Sequence, residues 1–290
     1  MKKIVILGCE NSHATLFLEF IKNNAKFRDL EVIGVYSDDT AAAEKLNETF
    51  GVYVMKRYDE FVGQVDGVMN TARHGDNHYK FLEPYLKYPI AVFVDKPITI
   101  KEQDALNLIS DANKYGVKLT GGSCLRHDGF VQEIKRDVLN EVDGKTHSGV
   151  VRAPVKMDNP YGGFFFYVQH LVEIALEAFG RYPIAVTTHP KGTDITIVFE
   201  YENYNIIGLA GIGVPIYHIC RYSNNNAKSF TFNVEYDRPC FFAEFNEFFD
   251  MLYNAESTIN KEDLIAPVFV MNAIKNSLDS GERVLVKRTV

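Results

Sequence analysis

The sequence predicts an α/β fold class, with an N-terminal doubly wound parallel sheet and a C-terminal α+β domain built on an open, mainly antiparallel sheet. Two observations lead to this prediction. In the first 120 residues, short apolar runs alternate with amphipathic stretches, which is typical of a parallel sheet covered by helices on both faces. After about residue 125, strand-like runs follow one another between turn signals, which indicates antiparallel pairing.

The strand-like runs of the first part are β-branched and apolar on both faces, as expected of strands buried between helices. They predict strands over residues 3–7, 31–36, 67–70, 91–94 and 117–120. The amphipathic stretches between them predict helices over residues 12–23, 40–50, 77–87 and 101–115. We therefore expect a doubly wound α/β domain over residues 1–122.

The second part, residues 123–290, predicts an α+β domain. Helices are predicted over residues 129–140 and 164–179, followed by an antiparallel meander over residues 185–189, 194–201, 205–212, 215–223 and 229–236. Two more helices, over residues 241–253 and 261–280, and a strand over residues 283–286 complete the prediction. We expect the last helix and strand to pack back near the first domain.

Composition excludes several classes of protein. The chain has 290 residues, of which 46% are apolar and 24% charged, as in ordinary globular proteins. Its net charge of -7 argues against non-specific binding to nucleic acid or to an anionic membrane. No segment is long and apolar enough for a membrane span or a signal peptide. The four cysteines are far apart and form no C-x-x-C pair, so we expect reduced thiols, a cytoplasmic location and no metal site.

The loop after the first strand carries only part of the G-x-G-x-x-G pattern of dinucleotide-binding folds. Gly8 keeps the tight turn, whereas Glu10 and His13 occupy the second and third glycine positions. A Glu10 carboxylate about 5 Å from a phosphate would cost about 3 kcal/mol at an effective dielectric constant of about 20, unless it pointed into solvent. Asn11 and Ser12 can still cap the helix and present backbone N–H groups to an anion. The alternative is a plain strand-to-helix turn.

The second strand ends at Ser37-Asp38-Asp39, where an acidic side chain would accept a hydrogen bond from the adenosine ribose. The two aspartates would repel a 2′-phosphate, which favours NAD slightly over NADP. An aspartate pair in a helix-initiating turn explains the same residues without a ligand.

The fourth strand ends at Asp95-Lys96-Pro97. The carboxyl ends of parallel strands face the ligand crevice of a doubly wound sheet, so we expect Lys96 to emerge there. A lysine so placed can hold a substrate hydroxyl or transfer a proton. A surface lysine before a turn is the alternative.

A helical stretch places His170, Glu173 and Glu177 on one polar stripe. A histidine with a carboxylate one turn away is a candidate general base near neutral pH. Such pairs also occur on ordinary exposed helices, and no third residue suggests a metal site.

Together these segments resemble the Gfo/Idh/MocA family of oxidoreductases, which includes glucose–fructose oxidoreductase and inositol dehydrogenases. The segments that carry the resemblance are "VDGVMNTARHGDNH", "VFVDKPIT", the Gly-Gly lead into the helix of His170, and the C-terminal run from "FNEFFDMLYNAES" to "GERVLV". The motif "DKP" is the most specific match, and the resemblance extends from Lys2 to about Val286.

The resemblance implies that residues 1–122 form a Rossmann domain that binds NAD or NADP. It implies that residues 123–290 form a domain that binds substrate and whose open sheet forms homodimers or homotetramers. It also implies that the substrate is a small sugar, cyclitol or polyol. Lys96 and His170 would be catalytic, with Glu173 orienting the histidine. The implied cofactor contacts are Gly8, Glu10, Asn11, Ser12, His13, Ser37, Asp38, Thr71, Ala72, His78, Asp95 and Lys96. The implied substrate contacts are Arg126, Phe166 and Tyr167.

Departures from the family pattern leave other functions open. Phe166 replaces an aspartate of the family motif, and Val168 replaces a glycine, so the predicted substrate site is more apolar than a sugar site. Glu10, His13 and Phe166 also fit a binding or regulatory protein that retained the fold without the cofactor. A lyase or glycosidase that uses bound NAD without net redox change is a third possibility.

Overall fold

The computed structural model describes residues 1–213, 215–233 and 238–288, with only the backbone of Arg238. The chain divides into two compact units, Met1–Gly122 with Glu244–Leu264, and Ser123–Ala243 with Ile265–Val290. The predicted second domain therefore differs from the second unit, because residues 244–264 belong to the first. The chain from Ile265 onward, which we expected near the first domain, belongs to the second unit.

The first unit contains a five-stranded parallel sheet of order β2-β1-β3-β4-β5. Its strands are β1 (Lys2–Leu7), β2 (Leu30–Tyr36), β3 (Gly67–Asn70), β4 (Ala91–Asp95) and β5 (Lys118–Gly122). Val54 forms an isolated parallel bridge to Val35 of β2, which adds a short segment at that edge. Counting this segment, the strand order is that of the dinucleotide-binding sheet, whose order reverses between β1 and β3.

Four helices connect these strands: α1 (Ser12–Asn23), α2 (Thr40–Phe50), α3 (Asp76–Leu82) and α4 (Glu102–Tyr115). Asn11 caps α1 and Asp39 caps α2 through their side chains. The stretch that we predicted as one helix over residues 77–87 is interrupted, because α3 ends before Pro84 and a 3₁₀ turn follows over Tyr85–Lys87.

The second unit contains a seven-stranded sheet of order β11-β10-β6-β9-β8-β7-β12. Its strands are β6 (Thr146–Pro154), β7 (Ala185–Lys191), β8 (Asp194–Glu200), β9 (Asn205–Gly211), β10 (Tyr217–Ser223), β11 (Ala227–Phe232) and β12 (Val284–Leu285). The sheet is mainly antiparallel, as predicted, but it is not a simple meander. The unpredicted strand β6 lies between β9 and β10 and runs parallel to β9.

Two helices of this unit are α5 (Gly129–Leu139) and α6 (Phe164–Phe179), and the chain continues into α7 (Arg238–Leu252) and α8 (Lys261–Ser280). Helix α6 is almost entirely buried from Val168 onward and contributes to the core of the second unit. The end of the predicted strand 229–236 lies outside the described residues. No helix among residues 1–213, 215–233 and 238–288 is long and apolar enough to cross a membrane.

Candidate functional sites in the two units

The loops after β1 and β3 approach each other closely at Gly8. This glycine has a φ of 68° and a side-chain Cβ there would lie 2.2 Å from the Cα of Ala72, so no other residue fits. The hydroxyl of Thr71 donates to the carbonyl of Gly8 over 3.0 Å. The first glycine of the dinucleotide pattern therefore keeps its structural role at the point where the strand order reverses.

The Glu10 side chain is half-buried and connects the ends of two strands. Its Oε2 accepts a hydrogen bond from the hydroxyl of Ser37, after β2, over 2.7 Å. Its Oε1 accepts from the backbone N–H of Arg73, after β3, over 2.9 Å. Our alternative that Glu10 points into solvent is therefore wrong, because two donors at the edge of the sheet hold the carboxylate.

The aspartates after Ser37 have other partners. Asp38 is exposed and its Oδ1 accepts from the hydroxyl of Tyr36 over 2.6 Å. Partial burial and this hydrogen bond raise the pKa of Tyr36 to about 12. Asp39 caps α2 by accepting from the N–H of Ala42. The carboxylate in contact with Ser37 thus belongs to Glu10.

Asp95 is fully buried at the end of β4, in contact with the loop after β1. Its Oδ2 lies 2.8 Å from the Nδ1 of His13 and accepts from the Nδ2 of Asn11 over 2.8 Å. Its Oδ1 accepts from the N–H of Lys96 over 2.7 Å. Burial acts to raise the pKa of Asp95, but the charge of His13 and these hydrogen bonds hold it below its ordinary value. The residue in the third glycine position thus ties α1 to β4.

Lys96 begins the loop that follows β4, and His78 of α3 contacts the same loop. Lys96 is 6% exposed. His78 is fully buried, with Nδ1 2.7 Å from the carbonyl oxygen of Pro97 and Nε2 2.7 Å from that of Ala72. Burial lowers the pKa of His78 against the opposing effect of the Asp95 charge. Both ring nitrogens contact backbone, so His78 holds the loops after β3 and β4 together.

In the second unit, His170 of α6 contacts a residue that sequence reasoning missed. The hydroxyl of Ser123, the first residue after β5, lies 2.7 Å from the Nδ1 of His170. The ring of Tyr217, in β10, packs edge-on against the imidazole with 6.2 Å between ring centroids. The position of Ser123 three residues after the predicted strand 117–120 was the only signal in the sequence that could have identified it.

Glu173 does not orient His170 in the way we predicted. Its Oε1 accepts from Arg181 over 2.6 Å, and its Oε2 accepts from Gln169 over 2.9 Å. Residues four apart lie on the same face of a helix, so Glu173 lies in line with Gln169 and Glu177. Glu177 pairs with Arg181 and also, over 2.7 Å, with Lys135. These groups stabilise the helix packing, and the Nδ1 of His170 is hydrogen-bonded to the hydroxyl of Ser123.

The second unit contains a cleft of about 320 Å³, and Tyr217, whose ring packs against His170, forms part of its wall. Its walls include Tyr167, Tyr217, Lys156 and Asn233, together with apolar groups of Val155, Ile212 and Pro215. The cleft thus combines an apolar wall with a few polar groups, as small-molecule sites do. Lys156, Tyr217 and Asn233 were not predicted, because no local motif marks them.

The remaining predicted substrate residues have different environments. Phe166 packs against Tyr161 and Tyr167, with ring centroids 5.5 and 4.9 Å apart. Arg126 is 5% exposed in the turn Cys124–His127. Within residues 1–213, 215–233 and 238–288, no group of three or more His, Cys, Asp or Glu side chains is placed to hold a metal ion.

Comparisons with known proteins agree with the fold and with the resemblance seen in the sequence. Residues 2–123 match the GFO_IDH_MocA family, described as an oxidoreductase family with an NAD-binding Rossmann fold. Over 143 residues the chain is 27% identical to glucose-6-phosphate 3-dehydrogenase of Bacillus subtilis (strain 168). That match covers 48% of this chain and 39% of the relative, so it spans well under half of the relative's length.

Solved structures resemble the whole chain. The scyllo-inositol dehydrogenase of Lactobacillus casei, determined with bound NAD(H) and scyllo-inositol, has a TM-score of 0.83 at 15% identity, covering 99% of each chain. A myo-inositol dehydrogenase of Corynebacterium glutamicum ATCC 13032 has a TM-score of 0.82 at 15% identity, covering 100% of each chain. At this identity the likeness establishes the fold.

Proposed function

We propose that the protein is an NAD(P)-dependent oxidoreductase, because residues 2–123 match a family described as oxidoreductases with an NAD-binding Rossmann fold. It would act on a hydroxyl or carbonyl carbon of a small sugar-, cyclitol- or polyol-like substrate. The observation that carries this proposal is the close contact of Gly8 with Ala72, at the position where such sheets bind a dinucleotide.

The residues around this contact fit a dinucleotide. The N-terminus of α1, which has no acidic residue in its first turn, favours an anion such as a pyrophosphate. Gly8, Asn11, Ser12, Thr71 and Ala72 would hold the coenzyme at this edge. When bound, the nicotinamide supplies the acceptor or donor of a hydride.

Lys96 would hold and polarise the reacting oxygen of the substrate. Its backbone is fixed by the bond to buried Asp95, and a buried ammonium stabilises developing negative charge on oxygen. Asp95, with both carboxylate oxygens hydrogen-bonded, would position Lys96 and the loop after β1.

His170 would move the proton of the reacting hydroxyl. Ser123 holds its Nδ1, which fixes the ring, so we assign proton transfer to Nε2. Arg126 and the cleft beside Tyr167 would select the substrate, and Phe166 would give its site an apolar edge. We expect a homodimer or homotetramer formed through the second sheet, and a cytoplasmic location.

A calorimetric titration tests this function directly. The protein, freed of any co-purified nucleotide, is titrated with NADH and with NADPH, and the coenzyme that binds is then used to screen cyclitols and aldoses by NAD(P)H absorbance. Micromolar binding followed by turnover supports the proposal. Absence of binding to either coenzyme by folded protein contradicts it and favours a binding protein, which Glu10 in the second glycine position also fits. Turnover without net change in NADH indicates a lyase or glycosidase.

A further inference from the structure

The residue that follows β2 is a serine that already has a carboxylate partner. In dinucleotide-binding sheets, an acidic side chain near this position accepts hydrogen bonds from the adenosine ribose. Here the position holds Ser37, whose side chain is buried, with the residue 4% exposed. Its hydroxyl accepts from the N–H of Asp39 over 3.0 Å and donates to Oε2 of Glu10 over 2.7 Å. A carboxylate therefore lies at the end of β2 although the chain has none at that position.

The Glu10 carboxylate is fixed and retains capacity for a ligand. Ser37 and the N–H of Arg73 each donate one hydrogen bond, to different oxygens. An ionised carboxylate has about four acceptor sites, so these two bonds leave acceptor capacity on both oxygens. The two donors come from loops on either side of β1, so the carboxylate lies over the edge where a dinucleotide binds.

We propose that Glu10 is the specificity-determining carboxylate of the coenzyme site, accepting hydrogen bonds from the adenosine ribose hydroxyls and excluding a 2′-phosphate. Ser37 is its positioning residue. The carboxylate that other dinucleotide folds carry at the end of β2 is here supplied by the loop after β1. This inference rests on the proposed function and makes the enzyme selective for NAD.

Charge explains the exclusion of NADP. A 2′-phosphate next to the ribose would approach the Glu10 carboxylate, with the exposed carboxylate of Asp38 nearby in the chain, and like charges repel. Asp38 is the alternative carboxylate for binding the ribose hydroxyls, but its Oδ1 accepts a hydrogen bond from the hydroxyl of Tyr36. The hydrogen bond from the buried Ser37 restricts the Glu10 carboxylate to one orientation.

Four variants test the proposal by equilibrium binding of NADH and NADPH, without any need for turnover. Glu10→Gln removes the charge, and Asp38→Asn removes that of the rival. The double variant Glu10→Gly with Ser37→Asp removes the carboxylate from the loop after β1 and places one at the residue that follows β2. Glu48→Gln, on the exposed face of α2, is the matched control for loss of one negative charge. Thermal unfolding checks that each variant is folded.

We expect Glu10→Gln to weaken NADH binding about tenfold, the affinity equivalent of about 1.4 kcal/mol. We also expect it to reduce the ratio of NADH affinity to NADPH affinity. The double variant should regain NADH affinity, and the control should match wild type. Stronger NADH binding in Glu10→Gln would show that Glu10 obstructs the site and would overturn the inference. The inference would also be overturned if Glu10→Gln bound NADH as wild type does, or if Asp38→Asn lost more NADH affinity than Glu10→Gln. It would likewise be overturned if the folded double variant did not regain NADH affinity. If wild type binds neither coenzyme, the proposed function itself fails. This outcome differs from every outcome that overturns only the role of Glu10.

Discussion

The hydroxyl oxygen of Ser123 lies 2.7 Å from the Nδ1 of His170. Ser123 also accepts from the N–H of Leu125 over 3.3 Å, so a buried hydroxyl connects the turn after β5 to the imidazole on α6. Fixing one ring nitrogen of a histidine sets its tautomer and orientation. Ser123 therefore positions the candidate base.

Replacing Ser123 by Ala should lower kcat about tenfold, because the lost hydrogen bond is worth about 1 kcal/mol or slightly more. It should also move the limb of the pH–rate profile that reports His170, whereas Ser123→Thr should retain the wild-type profile. The measurement is kcat against pH for the three proteins. An unmoved profile in Ser123→Ala would assign the serine a purely structural role.

Replacing Lys96 by Met should lower kcat about 100-fold or more. Removal of a group that stabilises charge on the reacting oxygen has effects of this size. Coenzyme binding should remain largely intact, because Lys96 is assigned to the substrate. Steady-state rates and NADH titration on the same preparation check both statements. Lys101→Met, at an exposed position, serves as the control, and full activity in Lys96→Met would remove the lysine from the mechanism.

Replacing Gly8 by Ala should destabilise the first unit and prevent coenzyme binding. A positive φ costs about 1 kcal/mol or more in a non-glycine residue, and the added Cβ would lie 2.2 Å from the Cα of Ala72. Gly192 provides the matched control, since its φ of 62° is similar but no atom lies within 4 Å of an added Cβ. Denaturant unfolding should show a larger loss for Gly8→Ala than for Gly192→Ala. Equal losses would mean that the contact with Ala72 relaxes freely.

Glu177 should make stability depend on pH at the acidic end. Burial acts to raise the pKa of Glu177, but Arg181 and Lys135 hold it below its ordinary value of 4.5. The ionised group therefore contributes stability that is fully present above pH 4.5 and is lost as the pH falls through its lower pKa in the folded protein. Glu177→Gln should cost about 3 kcal/mol at neutral pH, and the difference from wild type should shrink below pH 4.5.

Denaturant unfolding of wild type and Glu177→Gln between neutral pH and pH 3 measures this difference. Glu200→Gln is the control, because Glu200 forms an ion pair with Arg283 at the surface, where such pairs contribute little. A difference between wild type and Glu177→Gln that stays constant with pH would contradict the assignment.

Much of the fold follows from local signals. Helices α1, α2 and α6 occupy the predicted residues, because periodicity and turn or capping residues are readable within a dozen positions. The parallel sheet was equally predictable from its buried strands. Strand β6 was missed, because Gly149 interrupts its alternation of apolar and polar residues and because its partners β9 and β10 lie more than fifty residues further along the chain.

The sequence by itself determined which chemical groups stand at or after the ends of β1, β2 and β4 and on helix α6: Gly8, Glu10, Ser37, Asp95, Lys96 and His170. The tertiary structure alone decided which of them meet. The Glu10 carboxylate accepts hydrogen bonds from Ser37 and Arg73. Asp95 contacts His13 and Asn11, and His170 contacts Ser123. The reason is physical, because buried polar groups take the partners that packing brings within hydrogen-bonding distance, and most of those partners are distant in the chain.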